Sequence, residues 1–476
     1  MLFNSIAFAI FLPIVFALYW FVAHKNLKFQ NLLLLAASYY FYACWDYRFL
    51  FLLIFSTLLD YGTGLQMHQA KSEQMKKFWF WLSISVNLGF LGVFKYYNFF
   101  VQSAADALSA FGVQSNFWTL NVILPVGISF YTFHGLSYVI DIYKDRIKPE
   151  KNFIDYAVFV SFFPLLVAGP IERATHLLPQ IQTKRIFNSA HAADGLRQIL
   201  WGLFKKLVIA DNCAEYANMA FGPGEHSGST RILGVVFFTF QIYGDFSGYS
   251  DIALGTARLF GIDLLRNFAF PFFSRDVSEY WRRWHISLSS WFKDYLYIPL
   301  GGSRGGTWMK IRNTFIIFLV SGFWHGAAWT YVFWGFLNAL FMLPSLLSTK
   351  KPDPDIVAKG RIFATPKEMG QILLTFALTV FMFIFFRATD MHHAFEYVGE
   401  ILSASTFTKP FGIRNEVVWL LLAFIFIEWM GREDHYALEK IGVKWPKPLR
   451  LGFYYLIMAV IFMYAGSSQE FIYFQF

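Results

Sequence analysis

Two histidines are the residues best suited to moving a proton. His325 sits in Phe-Ile-Ile-Phe-Leu-Val-Ser-Gly-Phe-Trp-His-Gly-Ala-Ala-Trp, residues 315–329, an otherwise apolar run. An ionisable group in such a run is costly to keep and is a functional candidate by default. A neutral imidazole costs less than a charge and retains a basic nitrogen, which suits a general base. The competing reading is a packing histidine, because Gly322 and Gly326 have the spacing of a close helix contact. His285, in Tyr280-Trp281-Arg282-Arg283-Trp284-His285-Ile286-Ser287-Leu288, reads on its own as an interfacial histidine. Paired with His325 it becomes a second polar group for one site, provided its segment folds back toward that site. No metal is expected, since the spacing fits no zinc pattern and no acid or cysteine cluster completes a ligand set. His392 and His393 are expected in an exposed outer loop.

Gly244-Asp245-Phe246-Ser247-Gly248-Tyr249-Ser250-Asp251 places two acids inside a long apolar stretch. They need buried partners there. The segment reads either as the lining of a substrate passage or as a glycine-broken helix in a supporting role. Gly301 to Gly306 is a weak phosphate-loop signal, because it lacks the Gly-Lys-Ser/Thr ending.

The elements that must position these residues are membrane helices. The 476 residues are 56% hydrophobic and 21% aromatic with only 15% charged, against about a quarter charged in soluble domains. No polar linker divides the chain, so residues 1–476 read as one membrane body. It has N-terminal spans over 1–119, a central part over 120–335 and C-terminal spans over 336–476. The net charge of +9 comes largely from short loops between apolar runs, which indicates topogenic charge rather than nucleic-acid binding. Two cysteines, Cys44 and Cys213, exclude a disulfide framework. The first apolar segment has no basic lead-in and no cleavage pattern, so it reads as a retained anchor.

A spanning helix needs about 20 mostly apolar residues. Candidates run near 5–23, 30–45, 48–65, 78–100, 120–142, 153–170, 231–260, 313–333, 334–348, 371–388, 415–431 and 451–468. Several are short or interrupted, which predicts half-spanning helices around an internal cavity. No repeat is evident, which weighs against a transporter of duplicated halves. Basic loops at 24–29, 66–77 and 144–151, with Lys350, Lys351, Lys359, Arg361 and Lys367, contrast with 101–119 and 207–230, which contain no Lys or Arg. Placing basic loops in the cytoplasm puts the N-terminus outside. Residues 276–295 read as one interfacial helix, with Trp281, Trp284, Leu288 and Trp291 on one face and Arg282, Ser289 and Lys293 on another. The glycines at 301–306 then end it.

Five of these runs together resemble the membrane-bound O-acyltransferase family. They are Leu124 to Tyr131, Val167 to Arg173, Asp245 to Asp251, Tyr280 to Leu288 and Ser321 to Gly326, in the family's order across about 120–335. The opening Met1-Leu2-Phe3-Asn4-Ser5 and the early spans are similar to its alginate O-acetyltransferase branch. The resemblance implies an all-α, polytopic fold: a ring of tilted and half-spanning helices around a central catalytic channel. It implies that His325 is the catalytic histidine and His285 the second active-site position. His134 departs from the polar residue the resemblance leads one to expect there. Tyr280, Trp281, Arg282, Arg283, Trp284, Lys293, Asp245, Ser247, Tyr249 and Trp324 are the expected donor-binding or channel-lining positions, the basic ones docking the donor's phosphates. The implied donor is acetyl-CoA as co-substrate, with no bound cofactor. The implied acceptor is an exported polysaccharide, reached through a periplasmic acetyltransferase or an export complex at a bacterial inner membrane. A neighbouring branch transfers D-alanine to a cell-wall polymer. A proton-coupled transporter is the reading from a different class.

Overall fold

The structure is a computed structural model that describes residues 1–113, 118–120, 123–166, 169–348, 355–467 and 469–472. Val167 and Ala168 of the second motif, and Lys350 and Lys351 of the basic loop, lie outside these residues. The described residues are 72% helix, and no strand occurs among them. It forms two compact units: residues 1–189 with 259–264, and residues 190–258 with 265–476.

The first unit holds α1 (Ile6–Ala17), α2 (Leu27–Ala43), α3 (Tyr47–Gln69), α4 (Glu73–Leu91), α5 (Tyr97–Ala110), α6 (Ile128–Tyr143), α7 (Phe153–Ser161) and α8 (Ala174–Gln182). Short polar side chains set several starts by accepting orphan backbone N–H groups: Ser5, Asn26, Asp46, Ser72 and Asn152. Two expected spans are shorter than their apolar runs. In the 120–142 run α6 begins at Ile128, just after Gly127, which takes a left-handed φ of 75° directly against the Leu166 carbonyl. The 153–170 run stops at Ser161, shortly before Pro164, which disfavours helical backbone at the residue ahead of it. At the core, the Asp60 carboxylate accepts from Ser83 Oγ at 2.6 Å and Asn87 Nδ2 at 2.8 Å, bonding α3 to α4.

The second unit holds most of α9 (Ser189–Leu203) and α11 (Gly228–Leu259). With them are α10 (Asp211–Phe221), α12 (Val277–Arg283), α13 (Ile286–Phe292), α14 (Gly306–His325), α15 (Trp329–Leu347), α16 (Pro366–Arg387), α17 (Met391–Leu402), α18 (Asn415–Met430) and α19 (Lys447–Tyr464). Among the described residues, 47–69, 73–110, 329–347 and 366–387 are helical, long and apolar enough to cross a membrane. The expected boundary between spans at 333/334 falls instead at 326–328, where Gly326 is extended and α14 turns into α15.

Three other expectations are corrected. α11 runs unbroken through Gly244 to Asp251. Its glycines serve close approach rather than interruption: Gly248 and Gly255 lie against the Gly202 and Gly195 carbonyls of the preceding helical segment. The interfacial helix over 276–295 is divided at Trp284–His285 into α12 and α13, for a reason that belongs to the site. His392 and His393 lie in the first turn of α17 rather than in a loop, with His392 exposed and His393 half-buried.

Candidate active site

Asp276 starts α12 by accepting from the Glu279 amide. The helix ends at Arg283, Trp284 is extended, and His285 takes φ 44° and ψ 52°. A non-glycine residue in that left-handed well costs about 1–3 kcal/mol and persists only where its surroundings dictate it. Here they do. Asn267 accepts from the Ile286 amide at 2.9 Å through its carbonyl and from Ser287 Oγ at 2.6 Å through its side chain. Its amide donates in turn to Ser250 Oγ of α11 at 3.0 Å, and the Ala269 amide donates to the Arg283 carbonyl at 2.9 Å. A continuous helix would forfeit these bonds, so the segment turns and His285 is fully buried.

His325 is the last residue of α14. Gly322 lies against the Tyr331 backbone and Gly335 against the Phe318 carbonyl, so α14 and α15 meet at backbone contact. Gly322 therefore does pack helices, with Gly335 rather than Gly326 completing the backbone contact, and that packing delivers the histidine to its place. His325 Nδ1 lies 2.7 Å from the Ser321 carbonyl oxygen. A carbonyl only accepts, so Nδ1 carries the proton and Nε2 of the neutral ring carries the lone pair.

The two rings lie 6.4 Å apart between centroids. Around them stand Phe246 at 4.7 Å from His285, and Trp324 at 4.8 Å, Trp334 at 5.0 Å and Phe386 at 5.6 Å from His325. Trp324 also lies 6.0 Å from His285. Rings this close, walled by aromatic side chains, suit one small polar group held between two imidazoles.

The other expected site residues divide into groups. Tyr280, Trp281 and Trp284 are buried packing: Trp281 donates to Asn338 Oδ1 at 3.1 Å, and Trp284 stacks with Tyr280 at 5.6 Å and meets Phe268 at 5.0 Å. Arg283 forks onto Glu279 at 3.0 and 2.7 Å, and Arg275 shares that carboxylate. Arg282 is exposed and bonds Ser278. Arg282 and Arg283 line a crevice of about 540 Å³ together with Arg266, Arg432 and His435 and with the acids Glu279, Glu433 and Asp434. Lys293 is exposed and is not part of that lining. Ser247 and Tyr249 are buried on α11.

Asp245 is an ion-pair partner. Lys206 Nζ lies 2.8 Å from its carboxylate and 2.7 Å from that of Asp211. The other Asp245 oxygen accepts from the Ile472 amide at 2.7 Å. Asp251 pairs likewise with Lys205 at 2.5 Å. These lysines and the C-terminal tail are what sequence reading missed. Phe471 is fully buried, its ring 4.3 Å from Tyr249 and 6.4 Å from Phe246, which itself touches His285. The available signal was a pair of lysines and an aromatic tail, each at the edge of an apolar run.

Helices of membrane-crossing length and a base-type histidine in a buried aromatic box describe an integral membrane enzyme. Residues 143–351 match the model of the membrane-bound O-acyltransferase family. A probable alginate O-acetylase AlgI of Pseudomonas putida is 34% identical across the whole of both chains. A peptidoglycan O-acetyltransferase of Helicobacter pylori is 37% identical over 83% of this chain and 78% of its own. A teichoic acid D-alanyltransferase of Bacillus subtilis is 29% identical over 47% of this chain and 59% of its own. The chain belongs to the membrane-bound O-acyltransferase family and is an acyltransferase.

Proposed function

We propose that the protein moves an acetyl group from cytoplasmic acetyl-CoA across a bacterial inner membrane for O-acetylation of an exported polysaccharide. A periplasmic acetyltransferase receives the group on the far side. The observation that carries this reading is the His325–His285 pair, with the His325 tautomer set by the Ser321 carbonyl. The relatives named for O-acetylation over most of their length support acetyl as the group. The positive-inside pattern supports an N-terminus outside the cytoplasm.

In the reaction, an acceptor hydroxyl oxygen attacks the thioester carbonyl carbon. The C–O bond forms and the C–S bond breaks. His325 Nε2 takes the hydroxyl proton and passes it to the leaving thiolate, a role worth about 10²–10⁴ in rate. His285 donates to the carbonyl oxygen as negative charge develops there. Exposed Arg282 leads the docking of the donor's phosphates at this crevice, where Glu279 holds Arg283, Arg266 donates to the Phe268 carbonyl, and Glu433 and Asp434 also stand. Only the acyl group has to cross lipid.

The test is consumption of radiolabelled acetyl-CoA by protein reconstituted in vesicles. A His325→Ala chain with an unchanged size-exclusion profile is expected to lose at least about 10²-fold in rate, and His285→Ala a comparable amount. Activity within a few-fold of wild type in folded His325→Ala removes that residue from the chemistry. Wild-type use of a D-alanyl thioester in place of acetyl-CoA moves the protein to the other branch.

A further inference from the structure

We propose that the second unit holds one anionic phospholipid, with an acyl chain in a pocket between α16 and α18 and the headgroup at the basic segment leading into α16. The pocket, about 580 Å³, is walled by Phe240, Phe272, Ile372, Phe376, Leu422 and Trp429, a size within the range of ligand sites. Its polar groups, Glu428 and Tyr243, are satisfied by protein: Tyr243 donates to one Glu428 oxygen at 2.5 Å and Trp201 Nε1 to the other at 3.0 Å. The cavity therefore asks for hydrocarbon.

The surroundings name the source. α16 is long and apolar enough to cross the membrane, and Met369, Leu373, Leu422 and Phe426 stand exposed around the pocket. Met369 to Phe376 covers about 10 Å of helix axis, most of one leaflet's hydrocarbon depth of about 15 Å. Ile362 and Phe363 close the end nearest the basic segment. Lys359 and Lys367 are exposed there, and Lys359 pairs with an exposed partner, Asp355, at 3.2 Å. Arg361 is already held by Glu368. Exposed lysines at a leaflet surface select anionic headgroups. On the inner side, Tyr243 and Phe272 each lie 6.2 Å from the Trp284 ring, next in sequence to His285. The chain would thus brace the aromatic wall behind the site.

The full-length protein, reconstituted in phosphatidylcholine vesicles with a minor share of phosphatidylglycerol and extracted in mild detergent, is examined by native mass spectrometry. One phospholipid per protein is expected, enriched in phosphatidylglycerol several-fold over the vesicle ratio. Ala364→Trp, with Leu422→Trp as a second filling variant should the first fail to fold, is expected to lower occupancy at least tenfold at an unchanged size-exclusion profile. Lys359→Glu with Lys367→Glu is expected to keep the adduct and lose the enrichment. No wild-type adduct, or an adduct that survives in a folded filling variant, overturns the site. A wild-type adduct without enrichment overturns the headgroup assignment. Displacement by a long-chain acyl-CoA that is then turned over makes the pocket a donor subsite and overturns the structural-lipid reading.

Discussion

Lys206→Met is the most informative single change away from the histidines. Lys206 Nζ bonds Asp211 at 2.7 Å, pairs with Asp245 at 2.8 Å and donates to the Gln469 carbonyl at 3.0 Å. The three charged side chains are 1%, 1% and 3% exposed. Methionine keeps the length and the apolar stem while leaving two buried carboxylates without their cation. Breaking a buried pair from one side costs about 3–5 kcal/mol, equivalent to a fall of roughly 3–5 °C in Tm at about 1 °C per kcal/mol for 476 residues. Adding Asp211→Asn and Asp245→Asn removes the orphaned charge at nearly constant volume, so the triple variant is expected to recover more than half of that loss. The assay is the residual size-exclusion peak after stepwise heating in detergent, at one fixed heating rate because such unfolding is irreversible. A Lys206→Met protein within about 1 °C of wild type refutes the reasoning, since buried carboxylates left without their cation must either stay charged or take up protons, and both cost stability. Acyl transfer is expected to persist in the triple variant; a stable but inert triple variant would place Asp245 in the chemistry instead of the support.

Gly322→Val drives a side chain into the Tyr331 backbone, so it is expected to lose most folded protein by size-exclusion, whereas Val320→Ala on the same helix, 40% exposed, costs little. Phe471→Ala empties a fully buried position and is expected to cost about 3–5 kcal/mol, with a fall in acyl transfer larger than the fall in folded yield, because Phe471 backs Phe246 beside His285. His176 is held above its usual value by its hydrogen bond to Glu172, 2.8 Å away. Its contribution is fully present below about pH 6.5 and is lost as pH rises through the raised value. Wild type should therefore lose a small increment of Tm between pH 6 and pH 8 that Glu172→Gln does not show.

Residue types and their spacing determine the class of this protein. Helical apolar runs, sparse charge and basic loops mean membrane helices, because a bilayer demands internally bonded backbone and prices charge by depth. The same reasoning singles out His325, one ionisable group in an apolar run. What the tertiary structure decided depends on contacts between distant positions. His285 reaches the site because Asn267 and Ser250 hold a left-handed turn that the Trp-rich periodicity of 276–295 gives no hint of. Asp245 is an ion-pair partner because Lys206 is brought against it, and the tail is tied in because Ile472 donates to that carboxylate from 227 positions away. Periodicity reports only which face of a segment is apolar; the choice between burying an acid beside a lysine and aiming it into a passage is made by whichever element packs opposite, and that element is not its neighbour in sequence.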